Sequence, residues 1–142
     1  MAANFRLGRS SQANRAGVDP RLIEISDRAI AISLVDFGIP ANGGLRTAEI
    51  QHQLYKDKLS SCDGYNNKSL HQTGLALDFF AYVNNGASWE HAHLAMVAAA
   101  FLQAASELGY HVEWGGLWRS KKPRLINGIA YGWDCPHIQL ME

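Results

Sequence analysis

The chain has 142 residues, of which 47% are apolar and 18% charged, and its 13 Lys and Arg balance 13 Asp and Glu. That length suits one domain, residues 1–142, which can bury a core without disulfide staples. Zero net charge argues against a nucleic-acid binder working by bulk charge, and no apolar run reaches the roughly 18 residues of a membrane span.

The segment Met1–Gly17 lacks the apolar core of a signal peptide, so synthesis and folding in the cytoplasm are expected, without stable membrane insertion. Arg6, Arg9 and Arg15 precede the first acid, Asp19, and read as a solvated N-terminus rather than an arm for an anionic surface. Asp19 and Pro20 open a helix predicted to run to about Leu34, with Leu22, Ile25, Ala29 and Ile32 as its buried stripe. Phe37 to Ile39 is a short apolar stretch that meets Pro40, and Asn42-Gly43-Gly44 signals a turn. Thr47 is placed as the N-cap of a second helix ending near Lys58. Residues 59–73 are polar and read as a loop. Gly74 to Phe80 reads as a strand with Leu75, Leu77 and Phe79 facing one way and Gly74, Ala76 and Asp78 the other. Ser88 is expected to cap a long helix whose stripe runs from Leu94 to Leu108, stopped by Gly109. Tyr110–Trp114 and Pro136–Met141 are further strands. Helices followed by short strands, without a βαβ rhythm, predict an α+β fold with a small antiparallel sheet flanked by helices.

A catalytic zinc takes three protein ligands and keeps one position open. His71 and Asp78 are seven residues apart, and an odd offset along a straight strand would point them to opposite faces. They converge if His71 precedes the strand and Thr73-Gly74 bends the chain, which glycine permits. Asp134-Cys135-Pro136-His137 offers a second pair: Pro136 favours a strand start, leaving Asp134 in the loop and His137 on the strand. The spacing alone does not decide the site, and Cys135 is a rival ligand. His52, His91, His93 and His111 are read as non-ligands. Cys62 and Cys135 are either two free thiols or one bridge.

Several blocks together add a resemblance. Ser69–Asp78, SLHQTGLALD, resembles the S-x-H-x-x-G-x-A-x-D signature of the M15 peptidases. That family includes D-Ala-D-Ala carboxypeptidases, vancomycin-resistance dipeptidases and the L-alanyl-D-glutamate endopeptidases of bacteriophage endolysins. Glu113–Trp118 resembles the W-G-G-x-W segment of the endolysin branch, and Asp134–Leu140 its closing D-x-P-H-x-x-L. Gly44-Leu45-Arg46-Thr47, followed by Gln51 and Leu54-Tyr55, resembles its arginine block, and Phe5-x-Leu7-Gly8-x-x-Ser11 its N-terminal segment. The fold implied is that of the D-Ala-D-Ala carboxypeptidase, or LAS metallopeptidase, type.

By this resemblance His71, Asp78 and His137 are the ligands of one zinc ion per chain. Asp134 is the catalytic base and Arg46 binds substrate or steadies the oxyanion, while Ser69 lies near the substrate. Glu113 is a second candidate base, or a group that orients a histidine. Trp114 and Trp118 are placed as a cleft wall, with core packing the equal alternative. Gly115-Gly116 would let backbone approach the substrate. The activity implied is that of a zinc-dependent peptidoglycan endopeptidase, an endolysin acting on the L-Ala-D-Glu bond of the stem peptide. A D,D-carboxypeptidase or D-Ala-D-Ala dipeptidase is the nearest alternative, and an inactive metal-stabilised wall-binding module the more distant one. The implied protein is a monomer without a separate wall-binding domain, reaching the wall from the host cytoplasm through a separate release factor. Two stretches depart from the family pattern. One is Asn42–Leu45 before the arginine. The other is 119–133, RSKKPRLINGIAYGW, a long segment read as a loop over the cleft whose Lys121, Lys122 and Arg124 face either acidic stems or solvent.

Overall fold

The computed structural model describes residues 5–118, 124–126, 129–131 and 134–141. Helices α1 (Arg9–Asn14) and α2 (Pro20–Ile32) lead into strand β1 (Asp36–Gly38), then helix α3 (Ala48–Lys56). Strands β2 (Ala76–Asp78), β3 (Phe80–Val83) and β4 (Gly86–Ser88) precede the long helix α4 (His91–Leu108). Strand β5 (Val112–Trp114), the hairpin β6 (Arg124–Ile126) and β7 (Ile129–Tyr131), and β8 (His137–Leu140) complete the chain.

Local chemistry explains the helices. The Asp19 side chain accepts from the Arg21 backbone N–H with Pro20 in the first turn, and Thr47 accepts likewise from Ile50. Gly109 ends α4 in the left-handed conformation at φ 79°. Leu22, Ile25 and Ala29 of α2 pack against α4, where Leu94, Val97, Ala98, Phe101 and Ala105 form the buried stripe. Phe101 carries the stripe into the sheets, its ring 5.1 Å from those of both Phe37 and Phe79.

There are two three-stranded antiparallel sheets rather than one, ordered β1-β3-β4 and β2-β8-β5. The single strand expected over Gly74–Phe80 is split between them. The break falls at Phe79, whose N–H leaves both ladders and donates to the carbonyl of Pro136 at 2.8 Å. Ala76, Leu77 and Phe79 are all fully buried, so the expected alternation of an inner and an outer face does not hold here. Ser88 does not cap α4 either. It ends β4, its hydroxyl engages His93 Nδ1, and Glu90 occupies the cap position.

Arg6 and Arg9 are exposed, as expected of a solvated N-terminal stretch, but the backbone from Leu7 onward is packed on the fold. Leu7 and Ser11 are buried, Ser11 Oγ accepts the N–H of Ile39 at 3.0 Å, and Asn14 donates to the Ile39 carbonyl at 2.8 Å. Arg15 reaches α2, bonding Ser26 and pairing with Asp27 at 2.7 Å. Helix α1 thereby braces the turn that follows β1. No disulfide joins Cys62 and Cys135. In 119–133 the described backbone forms the β6-β7 hairpin, and Lys121 and Lys122 lie outside the described residues.

Candidate metal centre

Strand register brings the first two groups together. Strands β2 and β8 pair antiparallel with Asp78 directly opposite His137, and such cross-strand partners have their Cβ atoms within about 5.5 Å. His71 arrives from outside the sheet, on a 3-10 turn at Leu70–Thr73. Ser69 and Gln72 form a reciprocal capping box around that turn, and Gly74 closes it with φ 75°. A Cβ on Gly74 would lie 3.2 Å from Val18 Cα, so both the backbone angle and the space call for glycine.

The turn after β1 then cradles both sides. The carbonyl of Gly43 accepts the N–H of Asp78 at 2.7 Å, and Arg46 N–H donates to the His71 carbonyl at 3.0 Å. His71 Nδ1 faces the Gly44 carbonyl at 2.9 Å. A Cβ on Gly44 would strike the carbonyl of Asn14 at 2.2 Å, so α1 presses this turn into place.

The result is a triangle of ligand atoms. His71 Nε2 lies 3.3 Å from His137 Nδ1, and each lies within 3.1–3.2 Å of Asp78 Oδ1. Among the described residues this trio is the one group of His, Cys, Asp or Glu arranged to hold a metal ion. The donor set fits such an ion for a specific reason. The Gly44 carbonyl can only accept, so His71 Nδ1 carries the proton and Nε2 offers a lone pair. His137 Nε2 faces Gln139 Oε1 at 3.0 Å, which turns Nδ1 inward as the second lone pair. With Asp78 Oδ1, three acceptors converge and call for a cation between them. A tetrahedral zinc with arms of about 2.0–2.2 Å separates its ligand atoms by about 3.3–3.6 Å, close to the spacing found.

The electrostatics agree. When the two inward nitrogens carry protons in place of an ion, burial alone would raise the Asp78 carboxyl, but hydrogen bonds from His137 and His71 and the charge of both rings hold it well below the usual carboxylate range. Burial alone would lower His137, yet its hydrogen bond to Asp78 and the attraction of that carboxylate raise it. Asp78 is therefore an anion ready to neutralise a cation.

Around the trio, Arg46 commits three of its five N–H groups to protein. It donates to the Asn42 carbonyl at 2.7 Å, to Gln51 Oε1 at 3.1 Å and to Asp78 Oδ2 at 3.0 Å. It thus holds the outer oxygen of the carboxylate whose inner oxygen joins the triangle. Gln51 is fully buried and anchored in turn by Ser60 Oγ and the Cys62 carbonyl. Asp134 sits beside the triangle, Oδ2 3.8 Å from His137 Nδ1, with about a third of its side chain exposed. Burial raises its carboxyl, the positive charge of His137 opposes this, and the negative charge of Asp78 adds to it. Gly115 makes that position possible. A Cβ there would meet the Asp134 carbonyl at 2.2 Å.

The trio opens on one cleft of about 790 Å³, lined also by Arg46, Ser69, Trp118 and Asp134. Trp118 packs against His137 at a tilt, with ring centroids 5.1 Å apart. Two expectations are corrected. Trp114 is a core residue, not a cleft wall: it is buried, and its indole N–H donates to the Cys135 carbonyl. Glu113 is not among the residues lining the cleft, and it accepts the indole N–H of Trp118. Gly115 and Gly116 admit Asp134 and the Trp114 ring rather than substrate. Cys135 is buried outside the trio, and His52, His91, His93 and His111 also lie outside it.

Two residues that orient the site were given no role by sequence reasoning: Gln51, quoted only within the arginine block, and Gln139. Gln139 carried a usable signal, since it stands two positions from His137 on one strand and so shares its face. Replacing Gln139 with Leu is expected to weaken metal binding about 10–100-fold with the fold intact, because His137 loses the partner that fixes its tautomer. Competition with a chelating dye measures this, and an unchanged affinity would refute the role.

The chain is similar over residues 3–141 to the family described as phage L-alanyl-D-glutamate peptidase. It is 33% identical over 139 residues to the L-alanyl-D-glutamate peptidase of Escherichia phage T5, covering 97% of this chain and 99% of that protein. Its fold matches the crystal structure of the Serratia marcescens L-Ala D-Glu endopeptidase ChiX with a TM-score of 0.77 and 33% identity, over 97% of this chain and 91% of that one.

Proposed function

Because the chain belongs to the phage L-alanyl-D-glutamate peptidase family, we propose that it is a zinc-dependent peptidoglycan endopeptidase cleaving the stem peptide at the L-Ala-D-Glu bond. The observation that carries the reading is three inward-facing acceptors, His71 Nε2, His137 Nδ1 and Asp78 Oδ1, with the Asp134 carboxylate at their edge in one cleft.

In this reading His71, Asp78 and His137 hold one zinc ion in a monomeric chain. Zinc bound there would acidify a water molecule and polarise the scissile carbonyl. Asp134 takes the proton of the attacking water and delivers it to the leaving amine, and burial raises its carboxyl in the direction that favours proton uptake. Arg46 keeps Asp78 in place, and its two remaining N–H groups are the candidates to meet the developing oxyanion, since Arg46 also lines the cleft. Ser69 acts from the cleft wall and caps the turn that carries His71. Trp118, held by Glu113, closes one side of the cleft against water. No helix among the described residues is long and apolar enough to cross a membrane, and access to the wall through a separate release factor completes the reading as an endolysin.

The test is digestion of purified peptidoglycan with the protein as purified, with a chelator, and with zinc restored. Mass spectrometry is expected to find new D-glutamate amines, lost on chelation and recovered with zinc. Released D-alanine instead would move the activity to a carboxypeptidase or dipeptidase. No product under any condition would leave only a wall-binding module.

A further inference from the structure

The β1-β3-β4 sheet turns one face to the core and the other to solvent. Ala81 points inward and is fully buried, so Phe80 and Tyr82 on either side of it point outward. The Phe80 ring lies over Gly38, where a Cβ would come within 2.8 Å of it, so glycine lets the ring lie flat on the sheet. Tyr82 meets Phe80 edge-on at 4.9 Å, and Trp89, just beyond β4, packs at a tilt with its ring 5.7 Å from that of Phe80. Tyr82 and Trp89 nevertheless leave 45% and 52% of their surface open. Burial therefore does not account for three adjacent aromatic rings on this face.

Two features say what covers them. The row is continuous with the cleft, because Trp89 also lines the space shared by His71, Asp78 and Asp134. The rings themselves are uncharged, and the register places Asp36 opposite Tyr82, so a carboxylate and a phenol flank an apolar platform. A row of exposed aromatic rings edged by hydrogen-bonding groups suits a pyranose ring, which has an apolar C–H face and a rim of hydroxyls. The polymer supplies such a ring at the right place. In peptidoglycan the L-alanine of the stem is amide-linked to the lactyl ether of an amino sugar, one residue from the bond proposed to be cut. One residue spans about 3.6 Å at most, so a stem seated at the metal centre brings its sugar to the rim of the cleft.

We propose that Trp89, Phe80 and Tyr82 form a subsite for an amino-sugar ring of the glycan strand, holding the polymer while its stem enters the cleft. This rests on the peptidoglycan reading above. It assigns the outer face of the sheet a substrate-binding role separate from the chemistry.

Two measurements test it. The first compares kcat/KM on an N-acetylated stem peptide without sugar and on the same stem carried by a disaccharide. The disaccharide form is expected to be better by roughly tenfold, through KM, and Trp89→Ala or Tyr82→Ser to erase that ratio. The second needs no turnover. Zinc-loaded protein carrying Asp134→Asn is sedimented with glycan strands stripped of their stems, with thermal unfolding checked for every variant. Sedimentation is expected, and is lost when Trp89→Ala and Tyr82→Ser are added. A ratio unchanged by both substitutions, with no sedimentation on stripped strands, overturns the subsite while cleavage of the sugar-free peptide leaves the peptidase reading standing. Binding to whole walls but not to stripped strands gives the row to a peptide and likewise ends the sugar assignment. A wild-type protein that cleaves neither substrate fails the function itself, and the subsite with it.

Discussion

Replacing Asp134 with Asn is expected to lower kcat/KM by about 10²–10⁴-fold while the protein keeps one zinc per chain. General acid–base catalysis by a positioned side chain contributes on that scale. The substitution is chosen to spare everything else. Asp134 contributes its backbone to the site as well, its carbonyl accepting the N–H of His137 and its own N–H donating to Gly115. Asn preserves both, and its volume fills the same niche over Gly115. The carboxylate stands 3.8 Å from the nearest metal-facing nitrogen and outside the ligand triangle, so its loss should not release the ion. Zinc content by atomic absorption, read beside turnover, separates the two effects. A variant with more than about a tenth of wild-type activity would remove Asp134 as the base, and loss of zinc would make it a ligand or a support for one.

Much of this arrangement was readable from the chain because local rules govern it. Thr47, Asp19 and Gly109 announce helix ends by capping chemistry that involves only neighbouring residues. Gly74 and Pro136 showed how two awkward spacings could converge, and the bends occur there. What escaped depends on partners distant in sequence. Nothing in the alternation of Gly74–Phe80 marks Phe79 as the residue that changes sheets, because the cause is the Pro136 carbonyl, 57 positions away. Trp114 and Trp118 look equivalent in sequence. Only the fold sends one indole to the Cys135 carbonyl and the other to Glu113 at the cleft.

By the family resemblance Arg46 binds substrate or steadies the oxyanion, and it does line the cleft. That resemblance says nothing of a second task, which depends on a partner distant in sequence. The anion Arg46 meets is Asp78, brought close by the hydrogen bond between the Gly43 carbonyl and the Asp78 N–H. Gln51 entered only as part of the arginine block and Gln139 not at all, although each fixes a residue that touches or supports the triangle. Neutral amides suit that work. They orient a ligand or a guanidinium without adding charge that would compete with the ion.

Replacing His137 with Ala is expected to abolish activity, empty the metal site and remove the stabilisation that zinc confers. The three losses have one cause. His137 supplies Nδ1 to the triangle, and its absence leaves only His71 and Asp78 facing each other across a larger void. It also strands Gln139 Oε1, and Asp78 loses the partner that helps keep it ionised. Because zinc binds the folded chain, it stabilises by mass action, about 4.1 kcal/mol when free zinc is a thousandfold above its dissociation constant. For a domain of this size that is a shift on the order of 10 °C in Tm. The wild-type Tm should therefore rise with zinc and fall with chelator, while the variant's Tm should respond to neither. This response separates loss of a ligand from ordinary core damage. A cavity alone would lower Tm and leave the zinc-dependent increment intact. A His137→Ala protein that still binds one zinc and still gains the full increment would remove His137 from the ligand set. Cys135 would not be the natural replacement, since it is buried outside the triangle beneath the Trp114 indole.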